Sequence, residues 1–170
     1  VITGDLVNNA FNFLALRKLN TLLTRLEKAG FNVLVVPGNH DYGIGAAGFH
    51  FFVKRFKGIM FRNPKIIYPK TDRISSVVFF GLDSTAEELS FSDMLFAQGE
   101  LGNGQLSRLE KLLNDPGFKD CRKVVYLHHH PLDHRGGVHQ GGQHDHGGAV
   151  LVVVHHRDVQ CLDQPLLDLE

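Results

Sequence analysis

Three polar side chains follow directly on an apolar run near the start of the chain, and their types are those that bind metal ions or phosphate. The run of Val and Leu at 33–36 stops at Pro37, which predicts a buried strand that ends in a turn. After Gly comes Asn39, then His40 and Asp41. An amide oxygen can coordinate a cation, an imidazole can bind a metal or a charged oxygen, and a carboxylate can orient the imidazole.

Two further strand-like segments also end in polar groups. Residues 1–3 lead into Asp5, and residues 124–127 lead into His128. If these strands are parallel neighbours, their carboxyl ends share the edge of the sheet where open α/β folds bind ligands. The side chains that would then converge are Asp5, Asn39, His40 and His128. This mixture of oxygen and nitrogen ligands suits Zn, Mn, Fe or Co better than Ca or Mg alone.

The elements that position these groups form a β-α-β unit in the first part of the chain. An apolar stripe predicts a helix over residues 10–29, with Asn8 or Asn9 as the N-cap and Gly30 at the C′ position. The strand at 33–36 follows, so the two strands are predicted to pair in parallel with a right-handed crossover.

Further along, the pattern predicts more strands and one more helix. Strands are expected at 66–68 and 77–80, separated by a turn at 70–72. Asp83 follows the second strand and either reaches the site or, as we prefer, caps the next segment. The later elements are a helix over 104–114, a strand over 123–127 and a strand over 149–154.

Composition limits the classes of function. The 170 residues suit one domain, and 43% apolar residues are enough for a sizeable core. The 18 basic and 18 acidic residues balance, so we expect no nucleic-acid polymer as a partner. No segment has the character of a membrane span or signal peptide, and Cys121 and Cys161 form no CxxC pair, so a cytoplasmic protein with free thiols is expected. The sequence does not determine the oligomeric state.

The ordered motifs resemble those of the calcineurin-like metallophosphoesterase superfamily. The family patterns GDxx[DN] and GNH[DE] and a strand-terminal His occur in this order, at Asp5, at 38–41 and at His128. The weaker segments 80–84, 99–101 and 105–106 are similar to bacterial cyclic-nucleotide and glycerophosphodiester phosphodiesterases. The resemblance implies an α/β fold, namely an αββα sandwich of two mixed β-sheets flanked by helices, and a small phosphorylated substrate.

The resemblance also implies roles for individual residues. Asp5 would bridge two divalent ions, and Asn39 and His128 would bind the second of them. His40 would face the phosphate as a hydrogen-bond or proton donor, with Asp41 setting its orientation. The ungapped alignment favours His128 over its neighbour as the ligand, which leaves His129 as a substrate-side residue. A hydroxide bridging the two ions (Mn, Fe, Zn or Co) would attack the phosphoester, with phosphodiesters preferred.

Two family motifs lack a clear counterpart. The opening D-x-H is expected to precede Val1, and the closing GHxH is expected beyond Glu170 or in altered form, so residues 1–170 are expected to form a single but incomplete domain with weak or no activity. Residues 132–148 are expected to form a flexible Gly/His-rich loop. The alternative hypothesis is a non-catalytic metal-binding or interaction module that uses this loop or a half-site.

Overall fold

The chain begins with the predicted β-α-β unit. The computed structural model of the protein describes residues 1–43, 49–85, 101–129, 150–155 and 158–160. The first elements are β1 (Ile2–Thr3), α1 (Phe13–Lys28) and β2 (Val35–Val36). β1 and β2 pair in parallel, with Ile2 opposite Val35 and Thr3 opposite Val36. The parallel pair is therefore confirmed, and the loops that leave both strands start from the same edge.

A side chain fixes one end of α1 and a glycine fixes the other. The Asn12 side chain accepts a hydrogen bond from the backbone N–H of Ala15 at 3.1 Å, so Asn12 is the N-cap. The expectation of Asn8 or Asn9 at this position was wrong, because a turn before the helix delays its start. Gly30 has a φ of +94°, the left-handed conformation that glycine adopts most easily, and it occupies the C′ position as predicted.

Three further helices follow among the described residues, and the first of them is a single turn. They are α2 (Asn39–Tyr42), α3 (Phe49–Phe61) and α4 (Asn103–Leu113). A 3-10 helix at Pro116–Phe118 lies between α4 and the next strand. Within the ranges that the structure describes, no helix is both long enough and apolar enough to cross a membrane.

The second sheet contains five strands and is mixed. Its strands are β3 (Lys70–Ile74), β4 (Val77–Gly81), β5 (Arg122–Leu127), β6 (Val150–His155) and β7 (Asp158–Gln160). They lie in chain order, and β4 pairs with β5 in parallel while the other neighbours are antiparallel. The strands predicted at 77–80, 123–127 and 149–154 are confirmed to within about one residue.

The prediction for the segment before β4 was wrong. Residues 66–68 lie outside any strand, and residues 70–72, expected to form a turn, belong to β3. The hairpin turn lies at Ser75 and Ser76 instead, where Ser75 has a φ of +55°. β3 alternates half-buried and exposed side chains of mostly polar type, so its sequence has no apolar run to indicate a strand.

Three apolar clusters arrange the elements as helix, sheet, sheet and helix. α4 packs on one face of the five-stranded sheet, against Phe80 of β4 and Leu127 of β5. The opposite face, at Tyr126, packs against Val36 of β2. A third cluster joins α1, α2 and α3 with the loop after β1, around the buried Phe56. The predicted αββα arrangement is confirmed. Two mixed sheets were expected; the five-stranded sheet is mixed, whereas the described residues of the other sheet form only the parallel β1–β2 pair.

Candidate active site

Two glycines bring the loops after β1 and β2 into direct backbone contact. A Cβ on Gly4 would lie 2.4 Å from the backbone N of Gly38, and a Cβ on Gly38 would lie 2.2 Å from Oδ1 of Asp5. Neither position can hold a side chain without displacement of the opposite loop. The contact puts Asp5 at the start of α2, where its Oδ1 accepts a hydrogen bond from the backbone N–H of His40 at 3.1 Å.

His128 joins this pair from the other sheet. It follows the last residue of β5, and its side chain is almost entirely buried. Nδ1 contacts the carbonyl oxygen of Thr3 at the end of β1, 125 positions away in sequence. Nε2 lies 3.4 Å from Oδ2 of Asp5, which is an ion-pair distance but longer than a good hydrogen bond. The structure thus brings Asp5 and His128 together.

Asn39 and His40 begin α2 and lie next to Asp5. Both residues are half-buried, and the described residues make no hydrogen bond to the Asn39 side chain, so its amide oxygen is available to a ligand. Nδ1 of His40 lies 3.3 Å from the carbonyl oxygen of Asn8. The loops that follow β1, β2 and β5 therefore meet at one place. The sequence predicted this convergence because each of these strands ends in polar side chains.

Asp41 has different partners from those expected. Its carboxylate accepts hydrogen bonds from the N–H groups of Val7 at 3.1 Å and Gly38 at 2.9 Å, whereas the ring of His40 contacts Asn8. Asp41 therefore does not make the expected contact that would orient His40. Its two hydrogen bonds instead connect the loop after β1 to the loop after β2. Burial raises the pKa of Asp41 to about 6, although these two N–H groups oppose the shift.

The charges of Asp5 and His128 depend on each other. Burial raises the pKa of Asp5, but contacts with His128 and the N–H of His40 outweigh it, and the net pKa is lowered. Burial lowers the pKa of His128, but Asp5 and the Thr3 carbonyl outweigh it, and the net pKa is raised. In the metal-free protein the two side chains therefore favour a carboxylate–imidazolium pair.

The loop after β4 connects these exits to the rest of the fold. Asp83 is almost completely buried, and its Oδ2 accepts a hydrogen bond from the hydroxyl of Tyr42 in α2 at 2.7 Å. Its Oδ1 accepts from the N–H and the hydroxyl of Thr85, two residues further on. The segment that we expected Asp83 to cap begins outside the described residues, so that preference stays a prediction. The amide of Gln105 in α4 hydrogen-bonds the Asp83 backbone on both sides. No sequence pattern near Asp83 or Tyr42 indicates the hydrogen bond between them, because the two residues are 41 positions apart.

His129 lies next to His128 but contacts this loop. The two rings are nearly perpendicular, with centroids 4.7 Å apart. Oγ of Ser84 lies 2.9 Å from Nδ1 of His129 and accepts a hydrogen bond from its backbone N–H at 3.3 Å. Sequence reasoning missed Ser84, because a single Ser after a strand is also what an ordinary turn contains.

The donor atoms fit a divalent cation. Nε2 of His128 is buried and has no hydrogen-bond partner, and it faces the carboxylate of Asp5. A buried ring nitrogen costs free energy unless it binds something, and a cation between it and a carboxylate supplies that partner. With the Asn39 amide the set contains one imidazole and two oxygen ligands. The described residues contain no cluster of three His, Cys, Asp or Glu side chains, so this is at most a partial ligand set.

The remaining predictions for the C-terminal third lie outside the described side chains. The Gly/His-rich segment 132–148 lies outside the described residues.

The structure describes a pocket of about 550 Å³ between α4 and the start of β5, next to Cys121. This pocket lies at the opposite end of β5 from His128.

Comparison with protein-family models gives a match over most of the chain. Residues 1–160 match the model of the calcineurin-like phosphoesterases. No curated protein and no solved structure matches the chain. The match spans β1 to β7 and includes every residue at the three strand exits. The chain therefore belongs to the calcineurin-like phosphoesterase family.

Proposed function

We propose that the protein is a metal-dependent phosphohydrolase that prefers small phosphodiesters and holds two divalent ions. The observation that carries the proposal is the buried Nε2 of His128, which has no hydrogen-bond partner and faces Asp5. This geometry supports a cation between the two side chains, and the family to which the chain belongs generally uses divalent metals. Asn39 is the third ligand that we propose.

Asp5 has two oxygens with different surroundings. Oδ1 is held by the N–H of His40, whereas Oδ2 faces His128. Asp5 would hold the divalent ions together with His128 and Asn39. When bound, such ions lower the pKa of a water molecule and neutralise charge on the phosphoryl oxygens.

His40 is the proton donor in this proposal. The carbonyl oxygen of Asn8 can only accept a hydrogen bond, so Nδ1 of His40 carries the proton on that side. The carbonyl fixes the ring, and when Nε2 also carries a proton, this Nε2–H can donate to the leaving oxygen. We therefore assign to Asn8 the orienting role expected of Asp41, and to Asp41 the task of holding the loop geometry.

Hydrolysis of bis-p-nitrophenyl phosphate tests the proposal. With added Mn²⁺ we expect the diester to be cleaved with a higher kcat/KM than p-nitrophenyl phosphate. The Asp5→Asn variant retains the shape but removes the charge, so kcat/KM should fall at least ~100-fold. Asp120→Asn is the matched control, because Asp120 is exposed and lies just before β5, far from the strand exits. Turnover by Asp5→Asn equal to that of the control would reject the assignment.

Metal binding gives a second measurement that does not depend on turnover. Calorimetric titration with Mn²⁺ should show binding that is weakened in Asp5→Asn and His128→Ala but not in Asp120→Asn. Deletion of residues 134–148 should leave this binding in place. Loss of all bound metal on that deletion would favour the non-catalytic loop binder instead.

A further inference from the structure

The charged residues of the chain are unevenly distributed along the sequence. Residues 11–65, which contain α1, α2 and α3, include nine Lys or Arg residues but only two acidic residues, Glu27 and Asp41. The rest of the chain contains nine basic and 16 acidic residues. Asp41 is buried and hydrogen-bonded between two loops, so it adds no charge to the outer surface. The helical layer of α1 and α3 is therefore strongly positive, although the whole chain is neutral.

The outward face of α1 carries much of this positive charge. Its exposed basic side chains point away from the buried Leu16 and Leu23, and they are Arg17, Lys18, Arg25 and Lys28. Among the described residues no carboxylate forms an ion pair with any of them. Leu14 lies on the same face and is 64% exposed. Free positive charge and an exposed aliphatic side chain therefore occur together on one helix face.

Aromatic side chains project where α1 begins. Phe11 is 69% exposed, and Phe51 of α3 is 55% exposed. The buried ring of Phe52 supports both, with centroid distances of 4.7 Å to Phe11 and 5.5 Å to Phe51. The guanidinium of Arg55 lies 3.6 Å from the ring centroid of Phe13. The two exposed rings are therefore held in place, next to a cation, without being covered.

We propose that this basic–aromatic surface binds a lipid bilayer that contains anionic lipids. The surface consists of six side chains, of which all are exposed: Phe11, Leu14, Arg17, Lys18, Phe51 and Lys54. The Phe and Leu side chains enter the boundary between headgroups and acyl chains, and the Lys and Arg side chains contact the lipid phosphates. The surface belongs to the helices, so the proposal does not depend on the metal site at the strand ends.

Two other kinds of partner fit this surface less well. A single-stranded nucleic acid needs aromatic faces on which bases stack, but Leu14 is aliphatic and Arg55 already covers one face of Phe13. A second copy of the chain that bound through the same surface would bring like charges together, because a two-fold contact pairs a patch with itself. An anionic bilayer accommodates both the positive charge and the exposed apolar side chains.

Sedimentation with lipid vesicles measures the binding. We expect the chain to bind phosphatidylcholine vesicles that contain ~30% phosphatidylglycerol at least ~10-fold more tightly than vesicles of phosphatidylcholine alone. Binding should weaken when NaCl is raised from about 0.1 M to about 1 M, because salt screens the attraction. Arg17→Gln/Lys18→Gln should weaken it about 30-fold, since each Lys or Arg near an anionic surface contributes about fivefold.

The matched control removes the same charge from the other outer layer. Lys111 of α4 and Lys119, just before β5, are both exposed, so Lys111→Gln/Lys119→Gln should bind the mixed vesicles as the wild type does. Equal loss of binding in the two double variants would overturn the proposal, because net charge alone would then explain it. Absence of binding to the mixed vesicles by the wild type would also overturn it.

A tryptophan reporter tests whether the aromatic end enters the bilayer. The chain contains no Trp, so Phe11→Trp gives a single fluorophore. Its emission should shift to shorter wavelength on addition of the mixed vesicles, and lipids with brominated acyl chains should quench it. Leu106→Trp, at a position of α4 that is 42% exposed, should show neither effect. Equal quenching of the two reporters would contradict the proposed orientation.

Two further outcomes would overturn the proposal in favour of another partner. One is tighter binding to a single-stranded oligonucleotide than to the mixed vesicles. The other is a dimer of the wild-type chain that Leu14→Gln dissociates. If Arg17→Gln/Lys18→Gln does not fold, the salt dependence of the wild type and the fluorescence of Phe11→Trp decide.

Discussion

At the scale of single residues, buried polar groups hold the candidate site in place. Asp83 bonds to Tyr42 of α2, to Thr85 of its own loop and to Gln105 of α4, so one loop joins three parts of the fold. Burial raises the pKa of Asp83, although the hydrogen bonds from Tyr42 and Thr85 oppose the shift. Its carboxyl group therefore makes stability depend on pH.

The sign of this dependence follows from the two states of the carboxyl group. In the unfolded chain Asp83 ionises near 3.8, whereas in the folded protein it retains its proton to higher pH. Between the pKa of unfolded Asp83 and its higher pKa in the folded protein, the folded state binds more protons. The contribution of Asp83 to the unfolding free energy therefore falls as the pH rises through this range. Asp83→Asn should lack this fall, because an amide does not ionise.

Urea denaturation of the chelated protein at about pH 4.5 and about pH 7.5 measures the effect. The difference in stability between wild type and Asp83→Asn should shift in favour of the variant at the higher pH. Asp120→Asn should show the wild-type dependence, because Asp120 is exposed. An identical pH dependence of stability in all three proteins would contradict the raised pKa of Asp83.

At the scale of elements, glycines at loop ends have two different functions. Gly30 at the end of α1 is required for its φ of +94°, and nothing lies within 4 Å of a Cβ placed there. Gly38 at the start of α2 is required for space, since its Cβ would meet Asp5. One glycine therefore affects helix stability, and the other affects the site.

Alanine at these two positions should give different results. Gly30→Ala should lower the unfolding free energy by about 1–2 kcal/mol, the cost of a left-handed L-residue, with no change in Mn²⁺ affinity. Gly38→Ala should displace Asp5 and weaken Mn²⁺ binding at least ~10-fold. Urea denaturation and calorimetry measure the two effects. Equal Mn²⁺ affinity in the two variants would show that the Gly38 contact does not position Asp5.

The sequence predicted elements well where apolar periodicity marked them, and poorly elsewhere. The β-α-β unit and β5 followed from apolar runs, and the ordered motifs placed Asp5 beside His128. β3 was missed because its side chains at 70–74 are mostly polar and its hairpin turn lacks Gly or Pro. The contact of Ser84 with His129 joins residues 45 positions apart, and no local pattern encodes it.

At the scale of the whole molecule, the candidate site lies across the junction of the two sheets. Asp5 and Asn39 leave the β1–β2 pair, whereas His128 leaves the five-stranded sheet. An ion held by all three would link both sheets and would be released on unfolding. Metal binding should therefore stabilise the complete fold and not only the loops.

Thermal unfolding with and without Mn²⁺ tests this link. At a free metal concentration about 100 times the Kd, the stabilisation is ~2.7 kcal/mol. For a chain of this size we expect Tm to rise by about 5–10 °C. EDTA should reverse the rise, and Asp5→Asn should lack it while Asp120→Asn retains it. A metal-dependent rise of equal size in Asp5→Asn would place the ion elsewhere.

Most atoms that support the candidate site belong to the main chain. The carbonyl of Thr3 holds His128, the carbonyl of Asn8 holds His40, and the N–H groups of Val7 and Gly38 hold Asp41. Substitution at positions 3, 7 or 8 changes a side chain but leaves these atoms in place. Insertion or deletion of a single residue between them would instead shift every supporting atom at once. The site should therefore tolerate substitution at positions 3 and 8, but not a change in the length of this loop.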